Sequence, residues 1–296
     1  MEFHADDLDM LIQPYRRDEM NFAYCYQVYF RWHTHCRRPC LSLAKLKEPL
    51  LDRIARNFGI HILKCTSDTT DLLVLASLKP SETIAGCASK LKGQTSKWLR
   101  ESISLHVPTN LLARGYFACT VGKSRREAVE QYLAIQSEHH GYAARSMPPV
   151  YVESFDVTTE DEARLNAKHA RTLIQFHFVL ATWKRRGVFG SQQGGAIATA
   201  WRSLQAKKKF ALLKVSFLPD HVHLAVRAHP AASPADLAVI FMNVSQQVMF
   251  EHFCDVIINA RLERLWQLSA YIGSYGSLAT PQIRKYMQNW ANESVE

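Results

Sequence analysis

The sequence predicts an α+β fold made of two tandem copies of one unit. Three observations predict it. Strand-like and helix-like segments alternate along the 296 residues, their order repeats after residue 168, and landmarks in the two halves keep nearly constant spacing. Each copy has the order β-α-β-β-α-β-α, which folds as an antiparallel sheet with helices on one face, the ferredoxin-like arrangement.

The first half begins with an aromatic and β-branched segment, 22–32, that is typical of a strand. Apolar residues at helical spacing then predict a helix from Ser42 to Gly59. The other predicted elements are strands at 60–65 and 71–77, a helix at 81–100, a strand at 115–121, and a helix that begins at a capping box at Ser124 and carries Tyr132 and Gln136.

The second half repeats this order. Its predicted elements are strands at 172–182, 210–218, 221–227 and 270–274, helices at 192–206 and from Ser233 past 250, and a final helix from Thr280–Pro281 that carries Tyr286. Two glycines, Gly122 and Gly276, are 154 positions apart, and so are Tyr132 and Tyr286. Such spacing indicates a tandem duplication.

The domain boundary is predicted between the two copies. Pro148–Pro149 and the acidic stretch TTEDEAR separate the repeated segments, and both features are typical of a linker. We therefore expect an N-terminal domain at 1–147, a linker at 148–168 and a C-terminal domain at 169–296.

Composition narrows the class of protein. The chain is 47% hydrophobic and 21% charged, which suits a globular protein with real cores. No apolar run is long enough to span a membrane, and the acidic N-terminus is unlike a signal peptide. Seven cysteines without an export signal are expected to be reduced thiols. We expect a cytoplasmic protein.

The basic surplus indicates a polyanionic partner. The formal net charge is +9, and several basic clusters lie near aromatic residues, a combination that suits single-stranded nucleic acid. An ordinary solvated surface is the alternative for each cluster. The predicted DNA-binding residues are Lys90, Lys92, Lys184, Arg185, Arg186, Lys207 and Lys208.

Two histidines stand out in the segment LPDHVHLAV, 218–226. On a strand, His221 and His223 point to one face and Val222 to the other. Two neighbouring imidazoles can clamp a divalent metal ion. By itself, a His-x-His pair on a strand is weak evidence, and a plain strand is the alternative.

Longer segments resemble a known family in both halves. LPDHVHLAV resembles the His-hydrophobic-His (HUH) motif of single-tyrosine transposases, the TnpA-type enzymes of single-stranded-DNA insertion sequences and the related REP-associated tyrosine transposases. GYFACTVG at 115–122 with VEQYLAIQSEHHGY at 129–142 resembles the catalytic-tyrosine region of that family. RLWQLSAYIGSYG at 264–276 with IRKYMQNW resembles the same region again. The resemblance covers almost the whole chain, twice.

The resemblance implies a mechanism and a cofactor. A helix-borne tyrosine attacks a phosphodiester of single-stranded DNA beside a hairpin, which gives a 5′-phosphotyrosine link and a free 3′-OH. A divalent metal ion, Mg²⁺ or Mn²⁺, is held by the two histidines and a glutamine one turn after the tyrosine. Such a DNA enzyme is expected at the nucleoid.

Each half departs from the family pattern at a different place. The first half keeps Tyr132 and Gln136, but its HUH position, aligned at an offset of 152, has Thr69–Thr70–Asp71. The second half keeps His221 and His223, but Trp290 replaces the glutamine after Tyr286. In the family, the tyrosine helix of one subunit serves the other. The resemblance therefore implies a single-chain pseudo-dimer with one composite site of Tyr132, Gln136, His221 and His223, and a degenerate site of Thr69, Asp71, Tyr286 and Trp290.

Two alternatives remain open. The site can be assembled within the second half, with Tyr286 as nucleophile and Gln288 or Asn289 as the third ligand. Gln288, however, lies about 200° around the helix from Tyr286. The chain can also be a catalytically inactive or domesticated protein that binds hairpin DNA without cleaving it.

Overall fold

The computed structural model describes residues 13–102, 111–122 and 149–276, together with Ile283 and Met287. The first half contains β1 (Asn21–Cys25), β2 (Gln27–His33), α1 (Glu48–Arg56), β3 (His61–Ser67), β4 (Asp71–Ser77), α2 (Ile84–Ser102) and β5 (Tyr116–Val121). The rest contains β6 (Tyr151–Ser154), α3 (Thr159–Leu165), β7 (Ala170–Leu173), β8 (Gln175–Thr182), α4 (Ser191–Ser203), α5 (Gln205–Lys208), β9 (Phe210–Leu218), β10 (His221–Ala228), α6 (Pro234–His252), α7 (Cys254–Asn259) and β11 (Trp266–Tyr275).

The strands form two sheets. The order is β1-β11-β8-β10-β9-β6 in the first, called here the C-sheet, and β3-β4-β2-β5-β7 in the second, the N-sheet. Most pairs are antiparallel, and only β1–β11 and β5–β7 are parallel among the described strands. The predicted α+β class and its duplicated unit are confirmed. None of the described helices is long and apolar enough to cross a membrane.

Alternation along each strand divides every sheet into two faces. The inner face packs against helices: the Phe178 ring of β8 lies 5.4 Å from that of Phe241 on α6, and Trp201 on α4 stacks on Phe217 of β9. Inner-face side chains of both halves join one continuous apolar core. The outer face carries the alternate residues, including His221 and His223 of the C-sheet.

The two halves exchange short strands. The predicted strand at 22–32 breaks at Tyr26, so that β1 pairs with β11 of the C-sheet while β2 stays in the N-sheet. The predicted strand at 172–182 breaks at Ile174 in the same way, and β7 pairs with β5. Both residues at the breaks are buried. Each sheet is therefore completed by a strand from the other half.

Hydrogen bonds link the halves where β5 and β11 end. The Thr120 hydroxyl accepts from the Gln175 amide at 2.8 Å and donates to the Tyr275 carbonyl at 2.6 Å. The Ser274 hydroxyl occupies the equivalent position, accepts from the first amide of β2 at 2.8 Å and donates to the Val121 carbonyl at 2.6 Å. The pattern is reciprocal, as expected of a pseudo-twofold relation.

Two glycines allow this close approach. A Cβ atom on Gly122 would lie 2.2 Å from the Ser274 carbonyl oxygen, and one on Gly276 would lie 2.2 Å from the Thr120 carbonyl oxygen. Both distances are far below van der Waals contact with backbone atoms that cannot rotate away. The spacing of 154 that marks these glycines in the sequence therefore reflects a shared steric requirement.

The predicted linker contains regular structure. β6 pairs with β9 at the edge of the C-sheet, and α3 begins at a capping box formed by Thr158 and Asp161. The acidic residues that were interpreted as a linker signal therefore lie in the first turn of a helix, where they are favourable. The exact domain limits, 1–147 and 169–296, remain a prediction.

Replacing Gly276 by Ala is expected to destabilise the fold by about 2 kcal/mol or more, because the backbone must move to accommodate the new methyl group. Gly93→Ala is the matched control: that glycine is exposed on α2 with open space around its Cβ position, so the change should stabilise the helix by about 0.5–1 kcal/mol. Guanidinium denaturation measures both. A Gly276→Ala variant as stable as the parent would contradict the close approach.

Candidate functional site

The two histidines lie near the middle of the C-sheet. β10 runs between β8 and β9, and His221 and His223 point to the outer face, away from the helices. Their ring centroids are 5.1 Å apart, and each residue is only 2% exposed. The strand therefore brings two imidazoles together, as the i, i+2 spacing predicts.

Asp220 orients His221. Its Oδ1 lies 2.6 Å from His221 Nδ1, and its Oδ2 lies 2.9 Å from Arg185 Nε. Burial of the carboxyl acts to raise its pKa, but the hydrogen bond and charge of His221 and the Arg185 guanidinium outweigh burial, so the pKa of Asp220 is below its usual value. A carboxylate only accepts, so Nδ1 carries a proton, and in the neutral form of the ring Nε2 then keeps the lone pair that a metal ion needs.

A third imidazole supports His223. His177 on β8 is diagonal to His223, and its Nε2 lies 2.9 Å from His223 Nδ1. The two rings stack with centroids 5.2 Å apart. Burial lowers the pKa of His177 to about 4, so the ring is neutral near pH 7 and forms a neutral hydrogen bond with His223 Nδ1. Both histidines of the motif thus have an orienting partner.

His177 was missed at the level of sequence. Alternation along the segment QFHFVLAT predicts that His177 lies on the face of the sheet opposite to that of Phe176 and Phe178. Its proximity to His223 depends on the register of β8 against β10, in which Ala225 is opposite His177. No short motif encodes that register.

A divalent metal ion would need more ligands than the described residues provide. Within the described part of the chain, no group of three or more His, Cys, Asp or Glu side chains is arranged to hold a metal ion. The two imidazoles fit two positions of a divalent site. The predicted third ligand, Gln136, and the predicted nucleophile, Tyr132, lie outside the described residues, as do Tyr286 and Trp290.

One predicted basic cluster adjoins the histidines. Lys184 and Arg185 belong to a short 3-10 turn, Trp183–Arg185, that directly follows β8, and Arg186 follows it. Lys184 Nζ pairs with Glu263 at 2.9 Å, while Arg185 contacts Asp220. Both cations of this turn are thus paired with carboxylates.

The other predicted DNA-binding residues lie elsewhere. Lys90 on α2 forms an ion pair with Glu82 at 2.8 Å, and Lys92 donates to the Arg114 carbonyl at 3.4 Å. Lys207 and Lys208 are exposed on α5, at the end of β9 remote from His221. The structure does not bring these four lysines to the histidines.

Strand pairing identifies the counterpart of His221 in the N-sheet. In the C-sheet, His221 is opposite Ala181 on the strand that precedes the basic turn. In the N-sheet, Asp71 is opposite His33 on the strand that precedes the equivalent turn, His35–Arg37. The positions are therefore 150 apart, and the helices that follow, Ile84–Ser102 and Pro234–His252, keep the same offset.

The alignment of His221–His223 with Thr69–Asp71 is therefore wrong by two residues. The Thr34 amide donates to the Thr70 carbonyl, just as the Thr182 amide donates to the Asp220 carbonyl. Thr69 thus matches Pro219, while Asp71 and Leu73 occupy the positions of His221 and His223. Loops of unequal length change the offset along the repeat, so the offset of 152 used to align the two predicted hairpins does not hold at this strand.

The outer face of the N-sheet is covered by residues from the far end of the chain. Ile283 and Met287 are helical and buried, and they pack with Tyr29, Leu73 and Val121 in one apolar cluster. The helix predicted to carry Tyr286 therefore contacts the opposite half through these two residues. The equivalent face of the C-sheet has its own apolar cluster of Leu213, Ala225 and Tyr275.

Comparison with known families assigns the chain to the transposases. The family described as "Transposase IS200 like" matches residues 23–136 and again residues 170–290. The chain therefore belongs to the IS200-like transposase family, with one copy in each half, which confirms the resemblance found in the sequence motifs. No curated protein matches the sequence.

One similar solved structure is described as "a putative transposase from deinococcus radiodurans r1". The two chains share 21% sequence identity. The match covers 36% of the present chain and 87% of the solved one, with a TM-score of 0.30.

Proposed function

We propose that the chain is a metal-dependent endonuclease and strand transferase for single-stranded DNA, with one active site composed of both halves. Tyr132 is the nucleophile, and His221, His223 and Gln136 hold Mg²⁺ or Mn²⁺. The substrate is single-stranded DNA beside a hairpin, so the enzyme works at the nucleoid. The site built on Asp71 and Leu73 is not a metal site.

The contact of Ile283 and Met287 with the N-sheet carries the proposal. It supports a fold in which the last helix of each copy serves the other copy. Applied to the first half, the offset of 154 makes Val129 and Leu133 the counterparts of Ile283 and Met287, and both are apolar. They would pack on the outer face of the C-sheet, which brings the Tyr132 helix toward His221.

The apolar clusters support the same assignment. Leu213 and Ala225 of the C-sheet match Leu63 and Leu75 of the N-sheet at the offset of 150, and Tyr275 matches Val121 at the offset of 154. The N-sheet cluster includes Ile283 and Met287, so the equivalent cluster is a suitable surface for an equivalent helix. Hydrophobic contact would then position Tyr132 and Gln136 on the side of the histidines.

The chemistry is an exchange of one phosphate ester for another. The Tyr132 oxygen loses its proton and attacks phosphorus, the bond from phosphorus to the 3′ oxygen breaks, and that oxygen leaves as a 3′-OH after taking up a proton. When bound, the metal ion withdraws charge from a phosphate oxygen as a Lewis acid. A later 3′-OH can reverse the step without ATP, because the phosphotyrosine keeps the energy of the broken phosphodiester bond in a new phosphate ester bond.

The described residues have distinct tasks in this scheme. Asp220 and His177 hold the imidazoles of His221 and His223 in one orientation through hydrogen bonds to Nδ1 of each ring. Arg185 neutralises Asp220 at the edge of the site.

Tyr132→Phe is expected to lower the rate of covalent protein–DNA adduct formation by about three orders of magnitude or more. Tyr286→Phe is expected to leave adduct formation in place. The assay uses hairpin-bearing single strands with Mg²⁺ or Mn²⁺ and denaturing gels, with EDTA as the metal control. The opposite pattern would show that the second half assembles its own site. If the parent protein forms no adduct on any strand of a hairpin library, the chain is a binding protein without this chemistry.

A triple variant is expected to bind two Mn²⁺ ions per chain instead of one. Its changes, Asp71→His, Leu73→His and Trp290→Gln, restore both imidazoles and the third ligand in the N-sheet. The matched control is Thr69→His with Asp71→His and Trp290→Gln, which follows the offset of 152 and should bind one ion. Calorimetric titration measures both variants. A second ion in the control variant alone would contradict the strand register.

A further inference from the structure

An exposed aromatic side chain lies on the same face of the C-sheet as the two histidines. Tyr271 on β11 is opposite Val179 on β8, and Val179 is opposite His223 on β10. Residues that are directly opposite each other on neighbouring strands share one face, so these three form a row across the outer face. Because neighbouring strands are about 4.8 Å apart, Tyr271 lies about 10 Å from His223 along the sheet.

The ring of Tyr271 reaches solvent beside this row. The residue is 40% exposed, although it lies on a strand that is paired on both sides. A Cβ atom on Gly273 would lie 3.1 Å from both Cε1 and Oη of Tyr271, so the phenol end of the ring covers this glycine. The ring meets the His177 imidazole in an edge contact, with centroids 6.2 Å apart. A side chain at position 273 would therefore push the ring out of its place.

The first half differs at this point. The offset of 154 matches Tyr271 with Phe117 and Gly273 with Cys119. Phe117 is also exposed, and it meets Tyr29 in an edge contact. Cys119, however, has a side chain where the second half has only the glycine hydrogen. The glycine that makes room for an aromatic ring is thus present in the half that has the imidazole pair.

Tyr271 lies apart from the apolar cluster of the outer face. That cluster consists of Leu213, Ala225 and Tyr275, and we propose that the Tyr132 helix packs on it. Tyr271 is four residues before Tyr275 on β11, which places it about 13 Å nearer the end of the sheet that carries His221. A helix on the cluster therefore leaves this ring available to a ligand at the histidines.

The chemistry of the ring suits a nucleobase. Unpaired bases stack on exposed aromatic side chains, and such stacking tolerates any base because every base has a π-face. Burial, with a smaller contribution from Cys25, raises the pKa of Tyr271 above its usual value, so the phenol is neutral near pH 7. The ring therefore carries no negative charge that would repel the phosphates of the strand.

We propose that Tyr271 is a stacking platform for an unpaired base of the single strand, close to the phosphate that His221 and His223 receive. The identity of the ligand as single-stranded DNA rests on the proposed function. Tyr271 is a positioning residue: it holds a base beside the site, while the nucleophile and the metal ligands act on the phosphate.

The first test measures binding of a labelled hairpin-bearing single strand by fluorescence anisotropy in EDTA, which prevents cleavage. Tyr271→Ala is expected to weaken binding about five- to 100-fold, and Tyr271→Phe is expected to keep the parental affinity because it keeps the ring. The salt slope should not change, since stacking releases no counterions. Tyr271→Leu keeps apolar bulk on the strand without the ring, and it should also weaken binding.

Tyr24→Ala is the matched control. Tyr24 is a tyrosine of similar exposure, 46%, on the neighbouring strand β1. It is opposite Ile272, which belongs to the inner core, so it lies on the helical side of the same sheet. Its loss should leave DNA affinity unchanged.

The second test uses strands that lack one base at a time. One abasic position is expected to weaken binding to the parent as much as Tyr271→Ala does, and the same position should cost nothing in Tyr271→Ala, because the two changes remove one interaction. If every abasic strand loses as much affinity in the variant as in the parent, the ring does not stack on a base and the proposal fails.

The remaining outcomes are equally decisive. Parental affinity in folded Tyr271→Ala and Tyr271→Leu, or an equal loss in Tyr24→Ala, would overturn the platform. If sedimentation shows that Tyr271→Ala dissociates a dimer while DNA affinity stays the same, the ring is a contact between chains. Adduct formation by the parent is scored separately with Mg²⁺ or Mn²⁺. An active enzyme without a Tyr271 effect refutes the platform alone, and a Tyr271 effect without adduct refutes the proposed chemistry alone.

Discussion

The reciprocal crossing between the halves is the constraint on which the rest of the structure depends. At the ends of β5 and β11, Gly122 and Gly276 let two backbones approach at a distance that no side chain permits, and the hydroxyls of Thr120 and Ser274 tie them together. Each sheet takes an edge strand from the other half. Neither half can therefore complete its sheet alone, and Ile283 and Met287, which follow β11 in the sequence, are buried against the N-sheet.

Much of this architecture could be predicted from the sequence, because alternation and helical spacing are local. The strand of His221 and His223 and the helix that Ser233 caps lie where those patterns indicate. The breaks at Tyr26 and Ile174 could not be predicted, since each residue is apolar and continues the strand pattern. The role of His177 and the match of Asp71 with His221 depend on strand register, which emerges only when the sheets form.

Fusion of two copies in one chain explains how the two sites can differ. In a homodimer, any substitution appears in both sites, so a changed metal ligand damages each of them. In a single chain, each component of a shared site needs to be present only once. On the strand beside the two imidazoles the C-sheet has Val179 and Ala181, whereas the N-sheet has Arg31 and His33 at the equivalent positions beside Asp71. The two halves thus differ chemically at equivalent places, with a pair of imidazoles in one and a buried carboxylate in the other.

The central claim is that one chain builds a complete composite site, and a mixing experiment tests it most directly. A Tyr132→Phe chain and a His221→Ala chain are each expected to be inactive in the adduct assay. If the site is assembled within one chain, their equimolar mixture stays inactive, because neither chain has both the nucleophile and the histidine pair. Recovery of adduct in the mixture, absent from either variant alone, would show that the site forms between chains and would contradict the single-chain pseudo-dimer.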